Sequence, residues 1–286
     1  MMSHTNVVSV RQSLQASIES LSYHGFEESR LEAEVLLACV LGIDRSRLIL
    51  HLEESLSPFE GEQLERLIRR RLNHEPIAYI TGHKEFFGLD FLITPATLIP
   101  RPETELIVEK ALELARGKPA SIADVGTGCG AIAVVLAAHL PDVKVYATDI
   151  SNDVLEAARE NARRHGVAER IRFLWGDLLQ PVDGPVDMIV ANLPYISERE
   201  MSELSEDVRL HEPELALAGG SAGLDYIERL LAQASGKLNS GGAVLVEIGY
   251  DQGRAVMALA RKHFPDSGVE VLADLNGHDR LVMVSR

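Results

Sequence analysis

The sequence predicts an α/β protein: a doubly wound, mostly parallel sheet preceded by a small N-terminal helical bundle. Three observations carry this. After residue 120, strand-like and helix-like stretches alternate, which is the pattern of a parallel sheet with helices on both faces. Before residue 75 the apolar spacing is helical throughout. A glycine-rich stretch, Asp124-Val-Gly126-Thr-Gly128-Cys-Gly130, falls where the first strand of the alternation meets its first helix.

The elements follow in order. Residues 7–73 read as helices, with Leu14, Ile18 and Leu21 at helical spacing and Leu31, Val35 and Ala38 likewise. Ser57-Pro58-Phe59-Glu60 is a helix start: Ser57 caps, Pro58 suits the first helical position, and Glu60 completes a capping box. Leu64, Leu67, Ile68 and Leu72 continue it as one apolar stripe. This sets a helical domain at 1–74. Glu85–Phe87 and Phe91–Ile93 read as two short strands around Gly88-Leu89-Asp90, and Pro95, Pro100 and Pro102 interrupt regular structure. This sets a hairpin linker at 75–98. A helix from Glu103 to Arg116 then opens the domain 99–286. Its strands are expected at 122–125, 143–148, 171–175, 186–191, 243–248, 269–272 and 281–284, the last two pairing as a hairpin. Its helices are expected at 131–140, 154–165, 224–238 and 253–263.

Composition bounds the function. The chain has 286 residues, 28 basic and 43 acidic, for a net charge of −15. Hydrophobic residues at 46% exclude wholesale disorder. The acid argues against a generic nucleic-acid binder, which needs cations facing phosphates. It is concentrated after residue 120, where 15 basic face 25 acidic residues. The one dense basic run, Arg69-Arg70-Arg71, spreads around its helix instead of forming a face. Cys39 and Cys129 are far apart, so a disulfide framework is not expected and a reducing compartment is. No apolar run approaches the ~20 residues that span a bilayer. Met1–Arg11 lacks the apolar core of a signal peptide. A cytoplasmic protein without membrane contact is expected. Ten histidines include no HExxH, and no metal site is expected.

The glycine loop either makes a tight turn or admits a ligand to the backbone at a helix start. Three alternating glycines exceed what a turn requires. A Walker loop is excluded by the missing Gly-Lys-Ser/Thr, while Gly128-x-Gly130-x-x-Ala133 loosely matches a dinucleotide fingerprint. Asp124 at the strand end disfavours a pyrophosphate and suits a cationic sulfonium or its amino group. Asp149 ends the next strand and suits ribose hydroxyls. Asp177 follows the third and suits an adenine amine; alone, it reads equally well as a turn or cap. Ligands of such sheets bind at the carboxyl ends of the strands, where all three acids fall. The loop after the fourth strand is Asn192-Leu193-Pro194-Tyr195. It reads as an Asn-Pro-type turn, or as a clamp in which the Asn192 oxygen and a backbone carbonyl accept from an NH2 group while Tyr195 offers a flat face. Such a clamp works by orientation and electrostatics, with no protonatable base.

These motifs together resemble the HemK/PrmC family, the glutamine methyltransferases of peptide chain release factors. The resemblance runs through Glu75-Pro76-Ile-Ala-Tyr79-Ile80-x-Gly82, Phe86, Thr97-Leu-Ile-Pro100-Arg101-Pro102-Glu103-Thr104-Glu105, the glycine loop, Asp149-Ile-Ser151, the Asn-x-Pro-Tyr loop, Glu212-Pro213, Gly241-Gly242, Glu247-Ile-Gly249, Gln252 and Asp279-Arg280. It implies a Rossmann-like class I methyltransferase. S-adenosylmethionine would lie over Gly126, Thr127, Gly128, Cys129 and Gly130, with Asp149 on its ribose and Asp177 and Leu178 bordering its adenine; S-adenosylhomocysteine is the product. Asn192 and the Leu193 carbonyl would grip the glutamine amide of a Gly-Gly-Gln loop in class-1 release factors, with Pro194 and Tyr195 beside it. Arg101 and Glu105 would support the substrate side, and helix-terminal pairing is the alternative for both. No direct nucleic-acid partner is implied. Leu193 stands where the family usually has proline. The carbonyl survives that change and Pro194 keeps Leu193 extended, so activity is expected to persist, reduced. Cys129 stands where Ser or Thr is more frequent and reads as a small loop residue, not a nucleophile. His83 reads as exposed, Glu247 as structural and Trp175 as core. The rival readings are an adenine or cytosine amino-methyltransferase, an NAD(P)-dependent dehydrogenase, and a cofactor-binding scaffold inactivated through Leu193.

Overall fold

A computed structural model describes residues 8–118 and 120–286; the polar stretch before residue 8 lies outside the described residues. Contacts divide the chain into two compact units. The first takes the residues up to Gly82 together with Glu206–His211, and the second takes His83–Ser205 with Glu212–Arg286. Within 75–98, residues 77–81 form a helix of the first unit and 83–92 a hairpin of the second.

The first unit holds α1 (Val10–Tyr23), α2 (Ser29–Leu41), α3 (Pro58–Leu72), α4 (Ile77–Thr81) and, from far along the chain, α8 (Glu206–His211). Ser57 caps α3 as expected: its hydroxyl accepts from Glu60 N at 3.2 Å, and Glu60 Oε2 accepts from Ser57 N at 2.8 Å. Leu14, Leu21, Leu36, Leu37, Leu64 and Leu67 bury into one core. The three consecutive arginines each find a separate partner. Arg69 pairs with Glu65 across one helical turn, and Arg70 Nε donates to Glu75 Oε2 at 2.7 Å. Arg71 is buried, donates to Glu32 at 2.9 Å and Asp207 at 2.8 Å, and lies 4.1 Å from the Phe26 ring centroid. Asp207 belongs to α8, which His74 also meets through Glu206 at 2.9 Å and Asp207 at 3.1 Å. The six residues of α8 are too few to print an apolar period, so sequence patterning missed them.

The second unit opens with the hairpin β1 (His83–Phe86) and β2 (Leu89–Leu92). Its turn is Phe87-Gly88, at φ 51° and 74°, one step earlier than the expected Gly88–Asp90. Two successive positive φ values make the primed turn whose twist matches paired strands. Asn161, fully buried on α7 (Asn152–Arg164), holds this hairpin: its Oδ1 accepts from Leu92 N at 2.7 Å, and its Nδ2 donates to Leu92 O at 3.0 Å and Cys129 O at 2.9 Å. A 3-10 turn at Pro102–Thr104 delays α5 to Glu105–Ala115.

The sheet comprises β3 (Ala120–Val125), β4 (Val143–Asp149), β5 (Ile171–Trp175), β6 (Val186–Ala191), β7 (Leu238–Glu247), β8 (Gly268–Ala273) and β9 (Asp279–Ser285), in the order β5-β4-β3-β6-β7-β9-β8. The first five are parallel. β9 lies antiparallel between β7 and β8, so the terminal hairpin forms as expected. Helices α5, α6 (Ala131–His139) and α7 pack in a row, and α9 (Asp225–Ala234) packs on α10 (Gly253–His263). Covering helices explain why β6 reads as an unbroken apolar run from Met188 to Ala191 and not as an alternation. Trp175 contradicts the expectation of a core residue. It is 62% exposed, because β5 is the sheet edge, and its Nε1 donates to Ile150 O at 2.9 Å. No helix among the described residues is long and apolar enough to cross a membrane.

Replacing Asn161 by Leu strips partners from both backbone groups of Leu92 and from the Cys129 carbonyl. We expect a loss of about 2–4 kcal/mol in chemical denaturation. The Leu92 amide should lose hydrogen-exchange protection ahead of the sheet.

Candidate functional site

The switch from β3 to α6 is made by Gly126–Gly130. Gly126 N and Thr127 N both donate to Thr148 O at 2.9 Å, which folds the loop back over β4. Asp124, fully buried at the strand end, ties the loop to the helix. Its Oδ2 accepts from Thr127 Oγ1 at 2.7 Å and from Ala133 N, in the first turn of α6, at 3.1 Å. Its Oδ1 has no partner among the described residues. Burial pushes this carboxyl up to about 7, against the pull of Thr127 and Ala133.

The three glycines do different work. Gly126 sits at φ 73°, and a Cβ there would lie 2.9 Å from Leu193 Cδ2. Gly130 sits at φ 84°, and a Cβ there would lie 3.1 Å from Ala158 Cβ and 3.2 Å from its Cα, so it serves the approach of α6 to α7. Around Gly128, at φ 57°, a Cβ would meet no atom of the described residues within 4 Å beyond its chain neighbours. That open space is where a ligand can approach bare backbone.

Gly128 N donates to Asp149 Oδ2 at 3.1 Å, and Asp149 Oδ1 accepts from Ser151 N at 3.0 Å. Burial raises the Asp149 carboxyl, and these amides oppose that rise. A cavity of about 490 Å³ opens at this edge of the sheet. It is walled by the loops that follow β3, β4, β5 and β6, by Ala96–Leu98 with Pro100 and Thr104, and by Pro213, Leu215 and Ala216. The carboxyl ends of parallel strands thus meet one hollow, as in open α/β sheets generally.

Most expected site residues line it: Gly126, Thr127, Gly128, Cys129, Asp149, Asp177, Leu178, Asn192, Leu193 and Pro194. Five do not. Asp124 and Gly130 lie behind the loop they shape. Tyr195 points its hydroxyl away, donating to Glu247 Oε1 at 3.2 Å. Arg101 pairs with buried Glu212, whose Oε2 also accepts from Ile99 N at 3.3 Å, fastening the Pro-Arg-Pro segment beside the Pro213 wall. Glu105 Oε1 accepts from Phe87 N at 2.9 Å and secures the hairpin turn. Asp177 accepts from Arg229 at 2.5 Å and Gln180 at 3.0 Å while facing the cavity. Leu178 holds φ 51°, a conformation rare for a branched side chain. The Cys129 thiol is pushed up to about 12 by burial, which leaves it protonated and inert as a nucleophile.

The Asn192 loop is rigidly held. Gln252 Nε2 donates to Tyr195 O at 2.9 Å, Gly219 N donates to Ile196 O at 2.8 Å, and a Cβ at Gly223 would lie 2.1 Å from Tyr195 O. Asn192 Nδ2 donates to Thr104 Oγ1 at 2.9 Å. Glu247, 1% exposed, is raised to about 7 by burial, while the Thr104 and Tyr195 hydroxyls and the charge of Arg280 pull it down. Sequence reasoning missed Thr104, Arg229, Gly219 and Gly223. Thr104 stood inside the diagnostic segment, but nothing in the string shows which side chain reaches Asn192. No cluster of metal-ligating side chains occurs among the described residues.

A glycine loop at the first strand, acids along the next two and an antiparallel strand inserted at the far edge define a Rossmann-like class I methyltransferase. A methyltransferase from Pyrococcus furiosus shares the fold at TM-score 0.54, with 23% identity over 77% of this chain and 98% of that one. Residues 12–82 match the PrmC N-terminal domain and 103–210 the methyltransferase small domain. The release factor glutamine methyltransferase of Moorella thermoacetica is 47% identical over 98% of this chain and 99% of its own length. That of Chlorobaculum tepidum is 41% identical over 98% of each. The chain belongs to the release factor glutamine methyltransferase family.

The Asp124 carboxyl titrates near 7 when folded and near its ordinary 3.8 when unfolded. Between those values the folded chain holds a proton that the unfolded chain has released, so this group lowers stability as pH rises from about 4 to 7. Denaturant midpoints of the parent should fall across that window relative to those of Asp124→Asn. Parallel pH profiles would contradict the assignment.

Proposed function

We propose that this chain transfers a methyl group from S-adenosylmethionine to the side-chain amide nitrogen of the glutamine in the Gly-Gly-Gln loop of class-1 peptide chain release factors. The observation that carries the reading is the tie from Asn192 Nδ2 to Thr104, which leaves the Asn192 oxygen to accept from an incoming NH2 group. Full-length similarity to enzymes named for that reaction supports the acceptor.

The residues fit the donor. Gly128 leaves room over bare backbone, Asp149 offers carboxylate oxygens for ribose hydroxyls, and the hollow beside Asp177 and Leu178 suits a flat, amine-bearing ring. Bound there, S-adenosylmethionine supplies a methyl group made electrophilic by its sulfonium. Asn192 Oδ1 and the Leu193 carbonyl would accept hydrogen bonds from the two N–H groups of glutamine and aim its nitrogen; as the N–CH3 bond forms and the S–CH3 bond breaks, one of those protons is released to solvent. Acceptors on those protons favour the less conjugated, more nucleophilic nitrogen of the transition state. Holding it at the cavity edge turns a bimolecular encounter into a local one. Leu193 is buried against Gly126, so the substitution for proline is accommodated by packing. Pro194 and the ties to Gln252 and Gly219 keep the loop rigid. Release factors are the proposed partners, and the first unit the part that recognises them.

Incubation with labelled S-adenosylmethionine, offering a release factor and duplex DNA side by side, tests this. Label should enter the protein alone, and Asn192→Ala should lower the rate by at least roughly a hundredfold. Label in DNA alone would establish the amino-methyltransferase reading instead.

A further inference from the structure

One face of α9 reaches back to the loop that follows β5. Arg229 Nη2 donates to Asp177 Oδ2 at 2.5 Å. One helical turn later, Gln233 Oε1 accepts from Leu179 N at 2.9 Å. The helix thus grips both neighbours of Leu178, the residue held at φ 51°. Gln180 Nε2 is a second donor to Asp177, at 3.0 Å and again on Oδ2. Asp177, Leu178, Tyr226 and Arg229 all line the cavity, and the Arg229 guanidinium lies 5.6 Å from the Tyr226 ring centroid.

Both donors therefore fall on the same oxygen of Asp177, and Oδ1 takes neither. A carboxylate only accepts, so Oδ1 is an acceptor left over for a ligand. Holding Oδ2 from two sides stops the carboxylate from turning about its side-chain bond, and this fixes where Oδ1 stands. A purine carries at C6 either an amine, as adenine does, or a carbonyl, as hypoxanthine does. A fixed acceptor welcomes the amine and repels the carbonyl. A carboxylate free to swing aside loses the bond to the first and the repulsion of the second. The charge-assisted bond from Arg229 is the stronger of the two restraints, being the shorter and the one made by a cation.

We propose that Arg229 is a positioning residue that holds the Asp177 carboxylate so that the cavity chooses a 6-amino purine over a 6-oxo one. This rests on the donor reading given above, in which the base lies beside Asp177. Arg229 reaches the base through Asp177 and makes no bond to it.

Titration calorimetry on the full chain tests this with S-adenosylhomocysteine and S-inosylhomocysteine, which differ only at C6 and N1 of the base. The parent should bind the adenosyl form about tenfold or more tightly than the inosyl form. Arg229→Met keeps an apolar stem on an exposed helical position and removes the donor. Its preference should shrink roughly fivefold or more, through weaker binding of the adenosyl form. The thermal midpoint of the unliganded protein should stay near the parent value. An Arg229→Met protein that keeps the parent preference, whether it holds both affinities or weakens both alike, overturns the proposal. A preference that widens overturns it too, since Arg229 would then be donating to the base itself. Asp177→Asn separates this proposal from the reading beneath it. Loss of preference in that variant upholds the base beside Asp177, whatever Arg229→Met does. A parent-like preference there, or a parent that binds both forms alike, overturns that placement of the base and the proposal with it.

Discussion

The carboxylate of Asp124 is the fastening on which the rest of the cavity depends. It lies fully buried where β3 ends, and one of its oxygens holds both the Thr127 hydroxyl and the Ala133 amide. Those two bonds fix the loop to the first turn of α6, and Thr148 O fixes the same loop to β4. Only with the loop pinned on both sides can Gly128 stand open and Asp149 reach its amide. The fastening is costly in free energy, since a buried acid with one oxygen unpartnered among the described residues is held partly protonated near neutrality.

The site then divides into two halves that share a wall. Gly126 brings the glycine loop within touching distance of the Leu193 side chain. The glycine loop and the Asn192 loop are thereby packed on each other, so the proposed cofactor and acceptor sites share one point of the sheet edge. The second half is braced from behind by Thr104, Glu247, Gln252 and the glycines at 219 and 223. Its rigidity comes from hydrogen-bonded backbone, so a leucine in place of proline at 193 need not loosen it.

The parallel sheet was legible because buried strands and covering helices leave periodic apolar runs, and β5, β6 and α10 fall where patterning places them. The cavity-facing glycines and acids were legible because strand-to-helix junctions fix where side chains of the carboxyl edge must fall. Three things were not. The α8 segment joins a unit more than a hundred residues upstream, and the partners that hold it, Arg71 and His74, carry no local signal. Trp175 looked like core because the string cannot show that β5 is an edge strand. Arg101, Glu105 and Tyr195 sit in diagnostic motifs yet face away from the cavity, for a motif records that residues matter and not which way they point.

Charge takes on a narrower meaning through the geometry. Asp124, Asp149 and Asp177 each have a local role at the carboxyl edge, and each arginine of the 69–71 run is paired within its own unit. All of this geometry serves one event, the delivery of a methyl group to a glutamine amide. Tandem mass spectrometry of release factor after incubation with the enzyme and S-adenosylmethionine tests it most directly. A single methyl group on the glutamine of the Gly-Gly-Gln loop is the predicted result. An unmodified glutamine, or a methyl group placed elsewhere in the protein, would contradict it.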